Sequence, residues 1–374
     1  MSMDTKNPAP AADDGLDVSV VVPTYNEAEN IAAIAGSICT ALQEAKIRGE
    51  VIVVDDDSPD GTGRIAEELG RRLPVRCIVR KGRRGLSSAV LEGFAASRAR
   101  VCAVMDADGS HPVETLPELV RAVLDGKADI AVGSRYVAGG GCEKWPFLRR
   151  VISRGAGLLA RPLTSLKDTT SGFMAVRREI LDGLPLDPVG WKIVLEVAVK
   201  ARAARILELP IVFRDRVAGK SKLSARAQLE YLRHLWRLYG FRFAGIFRFA
   251  RFCLVGLAGM VLDMAIVALL KETLGLDTRL CAIFGFSLAV TSNYLLNRAW
   301  TFRDRNVRGI ASYPAFVLTS LAGLGVRLGI MHLIIVATSL DQGRGYLLVN
   351  FIGILAGTLV NFAGSNLVVF RARR

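Results

Sequence analysis

The chain has 374 residues, 51% of them hydrophobic, and a formal net charge of +14. That length allows two domains, and so much apolar sequence beside so much positive charge requires the two properties to be segregated along the chain. No Arg/aromatic nucleic-acid signature accompanies the basic residues, so nucleic acid is not the expected partner. The six cysteines show no C-x-x-C spacing and read as free thiols of a reducing compartment.

Residues 1–17 are polar and rich in Pro, Ala and Asp, and read as a disordered lead without signal-peptide features. Val18–Val22 is a buried strand that leaves through Pro23-Thr24-Tyr25-Asn26-Glu27. A helix starting at Asn26 or Glu27 runs to about Glu44, with Ile31, Ile34, Ile38 and Leu42 on one face. Val51–Val54 is a second strand, ending in the acidic run Asp55, Asp56, Asp57, and a helix follows over about Gly63–Leu73. Val75–Val79 is a third strand and Gly85–Ser97 a third helix. Val101–Met105 is a fourth strand, followed at once by Asp106, Ala107, Asp108 and Gly109. Strands alternating with helices define an α/β domain with a mostly parallel sheet. Such sheets bind ligands beyond the carboxyl ends of their strands, where three of these strands carry acidic or polar residues. In an extended chain residues two apart point the same way. Asp106 and Asp108 can then share one hard cation, Mg²⁺ or Mn²⁺, with phosphate oxygens completing its shell. Taken alone, the D-x-D also fits an Asp-rich turn after a core strand. No G-x-G-x-x-G follows the first strand and no Walker lysine loop occurs, which excludes the usual dinucleotide and P-loop sites.

These strand ends resemble the nucleotide-sugar half of family 2 glycosyltransferases, with the Rossmann-like GT-A fold. PTYNE at Pro23–Glu27, VVDDDSPDGT at Val53–Thr62 and DAD at Asp106–Asp108 stand in that family's order. GSRY at Gly133–Tyr136, WPFLRRVIS at Trp145–Ser153, SGFMAVRR at Ser171–Arg178, GWKIVLE at Gly190–Glu196 and RVAGKSKL at Arg216–Leu223 narrow the resemblance to the dolichol-phosphate mannose synthases. The resemblance implies that Pro23, Tyr25, Glu27, Val54 and Asp56 line a nucleoside pocket, with Ala107 between the two metal-binding aspartates, Asp106 and Asp108. The family usually carries Gln two residues after the second aspartate. Here Ser110 stands there, a shorter and weaker ligand. Lys192, Arg216 and Lys222 match positions around the diphosphate, and Arg135, Arg149 and Ser153 match positions that grip the acceptor phosphate. The implied reaction moves mannose from GDP-mannose to a polyprenyl phosphate with inversion. A phosphate acceptor is already anionic at neutral pH, its second pKa being about 6, and needs positioning and no general base. UDP-glucose with undecaprenyl phosphate is the alternative within this chemistry. A non-catalytic translocase or scaffold for lipid-linked sugars is the alternative outside it.

Residues 144–162 and 226–251 interleave arginine with large apolar residues and read as helices lying in the lipid headgroup layer. Four apolar runs follow, near 250–270, 280–297, 312–338 and 346–369, each suited to cross a bilayer. The domain plan is therefore a GT-A domain over 18–225, amphipathic interface helices over 226–249 and an all-α transmembrane domain over 250–374. This last domain resembles the GtrA-like four-helix domain. Arginines gather before the first run, between the second and third, and after the fourth. That pattern places both termini and the catalytic domain in the cytoplasm. The runs contain a weak repeat. Phe252, Gly256–Gly259 and Asp263 parallel Phe316, Ser320–Gly323 and Arg327. Asp263 and Arg327 are expected to pair, since charges inside a membrane are costly alone. The small-residue runs also allow a homo-oligomer.

Overall fold

A computed structural model describes residues 15–143, 145–190, 192–202, 204–214, 225–305, 312–338 and 345–371. It divides into two compact units at Arg242/Phe243.

The first unit is built on a seven-stranded sheet. Its strands, in chain order, are β1 (Val18–Thr24), β2 (Gly49–Asp55), β3 (Val75–Val79), β4 (Val101–Val104), β5 (Ile130–Ser134), β7 (Met174–Arg177) and β8 (Ile206–Pro210). The spatial order is β3-β2-β1-β4-β7-β5-β8, and β7 runs antiparallel to both of its neighbours. A short parallel ribbon, β6 (Gly141–Cys142) with β9 (Val212–Phe213), lies apart from the sheet. β1 and β4 are buried along their whole length, which explains their unbroken apolar runs. One face carries α1 (Ile31–Glu44), α2 (Thr62–Leu69) and α4 (Leu116–Leu124). The other carries α3 (Leu86–Ala96) and α7 (Ile193–Lys200).

α1 starts at Ile31, later than the sequence suggests. Asn26 holds a left-handed φ of 58°. Its N–H donates to Ser58 Oγ, that of Glu27 to Thr62 Oγ1, and that of Ala28 to Asp60 Oδ2. The left-handed φ keeps Asn26 out of a right-handed helix, and the bonds to the loop after β2 hold the turn that precedes α1.

Two further helices complete this unit, α5 (Phe147–Ala160) and α8 (Ala225–Arg242), besides the short α6 (Arg178–Leu181). Tyr231 and Tyr239 donate their hydroxyls to the Ala156 and Leu159 carbonyls, 2.7 Å each, and tie α8 to α5. Phe147, Leu148 and Leu158 on α5, and Leu229 and Trp236 on α8, stay exposed beside arginines.

The second unit holds α9 (Ala244–Leu274), α10 (Thr278–Leu296), α11 (Tyr313–Thr338) and α12 (Gly345–Gly364). Among the described residues four helical spans are long and apolar enough to cross a membrane: Ala244–Leu274, Leu280–Thr301, Tyr313–Thr338 and Phe351–Val369. Within the stretch read as interface helices over 226–249, α8 ends at Arg242 and residues 244–249 are the first turns of the first span.

The repeat is structural. α10 ends in a π-helical turn at Asn297–Thr301, and α12 ends in another at Ser365–Val369. The Asn293 amide packs on Gly259, and the Asn361 amide packs on Gly323. Phe302 and Phe370 stack with centroids 4.5 Å apart. Asp263 and Arg327 do not meet as expected. The Asp263 carboxyl lies against Gly285, and Arg327 packs along Gly357, each within its own hairpin.

Candidate active site

Two neighbouring areas at the carboxyl edge of the sheet gather the expected residues. The first lies over β1 and β2. Pro23 and Val54 are cross-strand partners there, and both are buried, so they shape this edge from below. Tyr25 is 41% exposed, and the Arg84 guanidinium sits 4.6 Å from its ring centroid. Glu27 Oε2 accepts from Asn30 Nδ2 at 2.8 Å. Asp56 is buried: Oδ1 accepts from Arg80 Nε at 2.8 Å and Oδ2 from the Gly85 N–H at 2.7 Å. Arg80, at the end of β3, escaped the sequence reading. A cation closing a row of acidic strand ends is the signal that marks it.

The second area is the turn after β4. The strand stops at Val104, and Gly109 turns the chain with φ +69°. Asp106 and Asp108 thus sit in one turn and not on an extended strand, so the alternation argument for their shared direction does not apply. The Asp108 Oδ1 accepts the Ser110 N–H at 3.1 Å, and Ala107 is buried in the core. Ser110 is fully buried, and its Oγ has no hydrogen-bond partner. An added Cβ on Gly172 would lie 3.2 Å from Asp106 Oδ2 and crowd that oxygen. Two carboxylates with an unpartnered buried hydroxyl make an all-oxygen donor set, which fits Mg²⁺ or Mn²⁺. Among the described residues no three His, Cys, Asp or Glu cluster as a metal site, so substrate oxygens would complete the shell. His111 is not a ligand candidate. Its Nδ1 accepts the Asp106 N–H at 3.4 Å and its ring stacks on Phe173. Burial holds its pKa below the ordinary value despite Asp106 and Asp108 nearby.

Asp106 also opens onto a cavity of about 160 Å³, lined by Arg135, Arg149, Ser153 and Lys192 and walled by Trp145, Phe213 and Tyr231. Arg135 follows β5 and is nearly buried. Its Nε and Nη2 each donate to Asp168 at 2.7 Å, and Nη2 also reaches Thr170 Oγ1 at 2.5 Å. This guanidinium is fixed, and the pairing holds the Asp168 carboxyl below its ordinary value although burial opposes it. Arg149 stands 3.9 Å over the Trp145 ring. Ser153 Oγ is 3.2 Å from Thr170 Oγ1. Lys192 is buried just before α7, where desolvation and then Arg135 push its ammonium well below the usual value. Arg216 and Lys222, the expected closing loop, lie outside the described residues. Asp168 and Tyr231 were not foreseen, since nothing local in the sequence links them to Arg135 or Lys192.

Acidic and polar strand ends over a parallel sheet, an all-oxygen donor set and a cationic cavity define a nucleotide-sugar transferase of GT-A type. Residues 19–184 match the model of "Glycosyl transferase family 2", and residues 251–370 match "GtrA/DPMS, transmembrane domain". The chain is 39% identical over 345 residues to the dolichol-phosphate mannosyltransferase of Pyrococcus furiosus, covering 91% of this chain and 95% of that protein. It is 41% identical over 217 residues to the polyprenol monophosphomannose synthase of Mycolicibacterium smegmatis, covering 55% and 80%. Among solved structures, glucosyl-3-phosphoglycerate synthase from Mycobacterium tuberculosis covers 61% of this chain at 22% identity and a TM-score of 0.46. The chain belongs to the dolichol-phosphate mannosyltransferase family of family 2 glycosyltransferases, and it is an integral membrane protein.

Proposed function

We propose that the protein transfers mannose from GDP-mannose to a polyprenyl phosphate, giving a β-linked lipid-phosphate sugar at the cytoplasmic membrane face. The observation that carries this is the charge balance of the cavity. Arg135, Arg149 and Lys192 line it, and Asp106 is the one carboxylate among its described lining residues. A sugar hydroxyl acceptor needs a carboxylate base, whereas a phosphate acceptor needs cations to place it. Arg149 and Ser153, on consecutive turns of α5, hold the acceptor phosphate, with Arg135 as the fixed wall behind them. Lys192 neutralises the departing diphosphate. Desolvation and the nearby Arg135 lower its pKa, and an arriving anion favours the charged ammonium again. Asp106, Asp108 and Ser110 hold Mg²⁺ or Mn²⁺, which stabilises charge growing on the leaving group when bound. Attack of the acceptor oxygen at the anomeric carbon inverts its configuration. The nucleoside lies over Tyr25, Glu27 and Asp56, and Arg216 and Lys222 close over the diphosphate.

The exposed apolar and arginine-rich surfaces of α5 and α8 favour a membrane surface as the place of reaction. The arginine distribution among the spans favours a cytoplasmic catalytic unit. Titration of the detergent-purified protein with GDP-mannose and with UDP-glucose, in Mn²⁺, tests the donor. At least about tenfold tighter binding of GDP-mannose is expected. Tighter binding of UDP-glucose would replace the donor and keep the chemistry.

A further inference from the structure

Glu196 and His234 form a buried pair that the chemistry above does not use. Glu196 Oε2 lies 3.0 Å from His234 Nε2, and both side chains are 1% exposed. Glu196 Oε1 accepts from Lys200 Nζ at 2.5 Å and from the Asp187 N–H at 2.7 Å. These donors outweigh burial and hold the Glu196 carboxyl down at about 2. Arg237, one turn on from His234, pairs with Asp187 at the rim.

The two helices it joins both end at the cavity. Glu196 stands one turn into α7 and donates its N–H to the carbonyl of Lys192, a lining residue. His234 lies on α8 one turn on from Tyr231, which lines the cavity together with Gln228. Tyr231 faces the Lys192 ammonium at 5.7 Å and donates to Ala156 on α5, the helix of Arg149 and Ser153. Tyr231, Leu235 and Leu238 are the buried apolar anchors of α8, while Leu229, Leu232 and Trp236 face outward, and the Tyr231 and Tyr239 hydroxyls fix it to α5 only. A buried charged pair adds little net stability against an apolar substitute, and its best-attested use is fixing one register.

We propose that the Glu196–His234 pair is a positioning latch: it sets the register of α8 so that Tyr231 and Gln228 complete the acceptor wall of the cavity. Neither residue touches substrate, and the latch acts through Tyr231. The proposal rests on the transfer reaction inferred above.

The test uses the full-length protein in detergent with His234→Leu, which keeps volume without a donor, and His234→Gln, which keeps an N–H donor toward Glu196. KM for polyprenyl phosphate and for the nucleotide sugar, kcat and the thermal midpoint are measured together. His234→Leu should raise the acceptor KM about tenfold with donor KM nearly unchanged, and should lower the midpoint because Glu196 stays buried with one donor fewer; His234→Gln should restore both. Equal effects of the two variants, or a loss confined to the midpoint, would overturn the latch. If the unaltered protein transfers nothing, the functional reading fails by itself. Hydrogen exchange of residues 225–242 then decides the latch: about tenfold faster exchange in His234→Leu, restored in His234→Gln, supports it, and no difference overturns it.

Discussion

The two units both bury polar groups, but they settle them in opposite ways. In the catalytic unit three buried ion pairs stand out among the described residues: Arg135 with Asp168, Arg80 with Asp56 and His234 with Glu196. In the membrane unit the polar side chains are mainly uncharged amides and hydroxyls, lodged against glycine or turned back on their own helix. Asn293 and Asn361 sit on Gly259 and Gly323, while Thr291, Thr319 and Ser320 donate to carbonyls four residues back. The contrast follows from the solvent. A water-soluble unit can pay for a buried ion pair with surrounding hydrogen bonds, and it gains fixed charges for binding anions. A helix pair in hydrocarbon relies on close backbone approach, which only small residues permit.

The sharpest break of this comparison is Asp168→Ala, which leaves Arg135 buried without its partner. The expected cost is roughly 3–5 kcal/mol of stability, read from denaturant unfolding of the catalytic unit's signal in the full chain. A loss under 1 kcal/mol would mean the Arg135 charge is compensated elsewhere. Asp108→Ala should leave folding intact and lower transfer by about 10²–10³-fold, with metal titration showing weaker Mn²⁺ binding. Gly323→Ala tests the membrane side. The new Cβ would lie 2.5 Å from Asn361 Cγ, and overpacking should cost roughly 1–3 kcal/mol. The double variant with Asn361→Ala should recover much of it.

The latch has a pH signature. Glu196 titrates at about 2 in the folded chain against an ordinary 4.5, so its contribution is complete above pH 4.5 and fades as pH falls towards 2. Glu196→Gln should flatten the stability profile in that window, as followed by acid unfolding. The smallest effect is expected at the exposed Lys127–Asp125 pair, where side chains are 69% and 49% exposed. Lys127→Ala should shift stability by less than about 0.5 kcal/mol.

Much of this was legible in the chain itself. Mostly apolar runs gave β1, β2 and β4, because strands covered on both faces have little polar side to show. The acidic ends of β2 and β4 marked the site, and apolar length marked the spans. The rest depends on contacts distant in sequence. Asp168 meets Arg135 across 33 residues, and β7 enters the sheet antiparallel between β4 and β5. No local pattern announces either. The late start of α1 reflects the left-handed turn at Asn26, held by the loop after β2. The break at Phe243 was hidden because residues 226–251 share one basic, aromatic composition. The expected Asp263–Arg327 pair failed for a related reason: equivalent repeat positions lie in separate hairpins, each packed on its own glycine.

The most direct measurement is transfer of label from GDP-[¹⁴C]mannose to a polyprenyl phosphate by the purified full-length protein in Mg²⁺ or Mn²⁺, followed by NMR of the product's anomeric centre. The account predicts label in the lipid phase, a β-mannosyl phosphate linkage and loss of both with Asp108→Ala. An α linkage, or label that survives Asp108→Ala, would contradict direct displacement in this cavity.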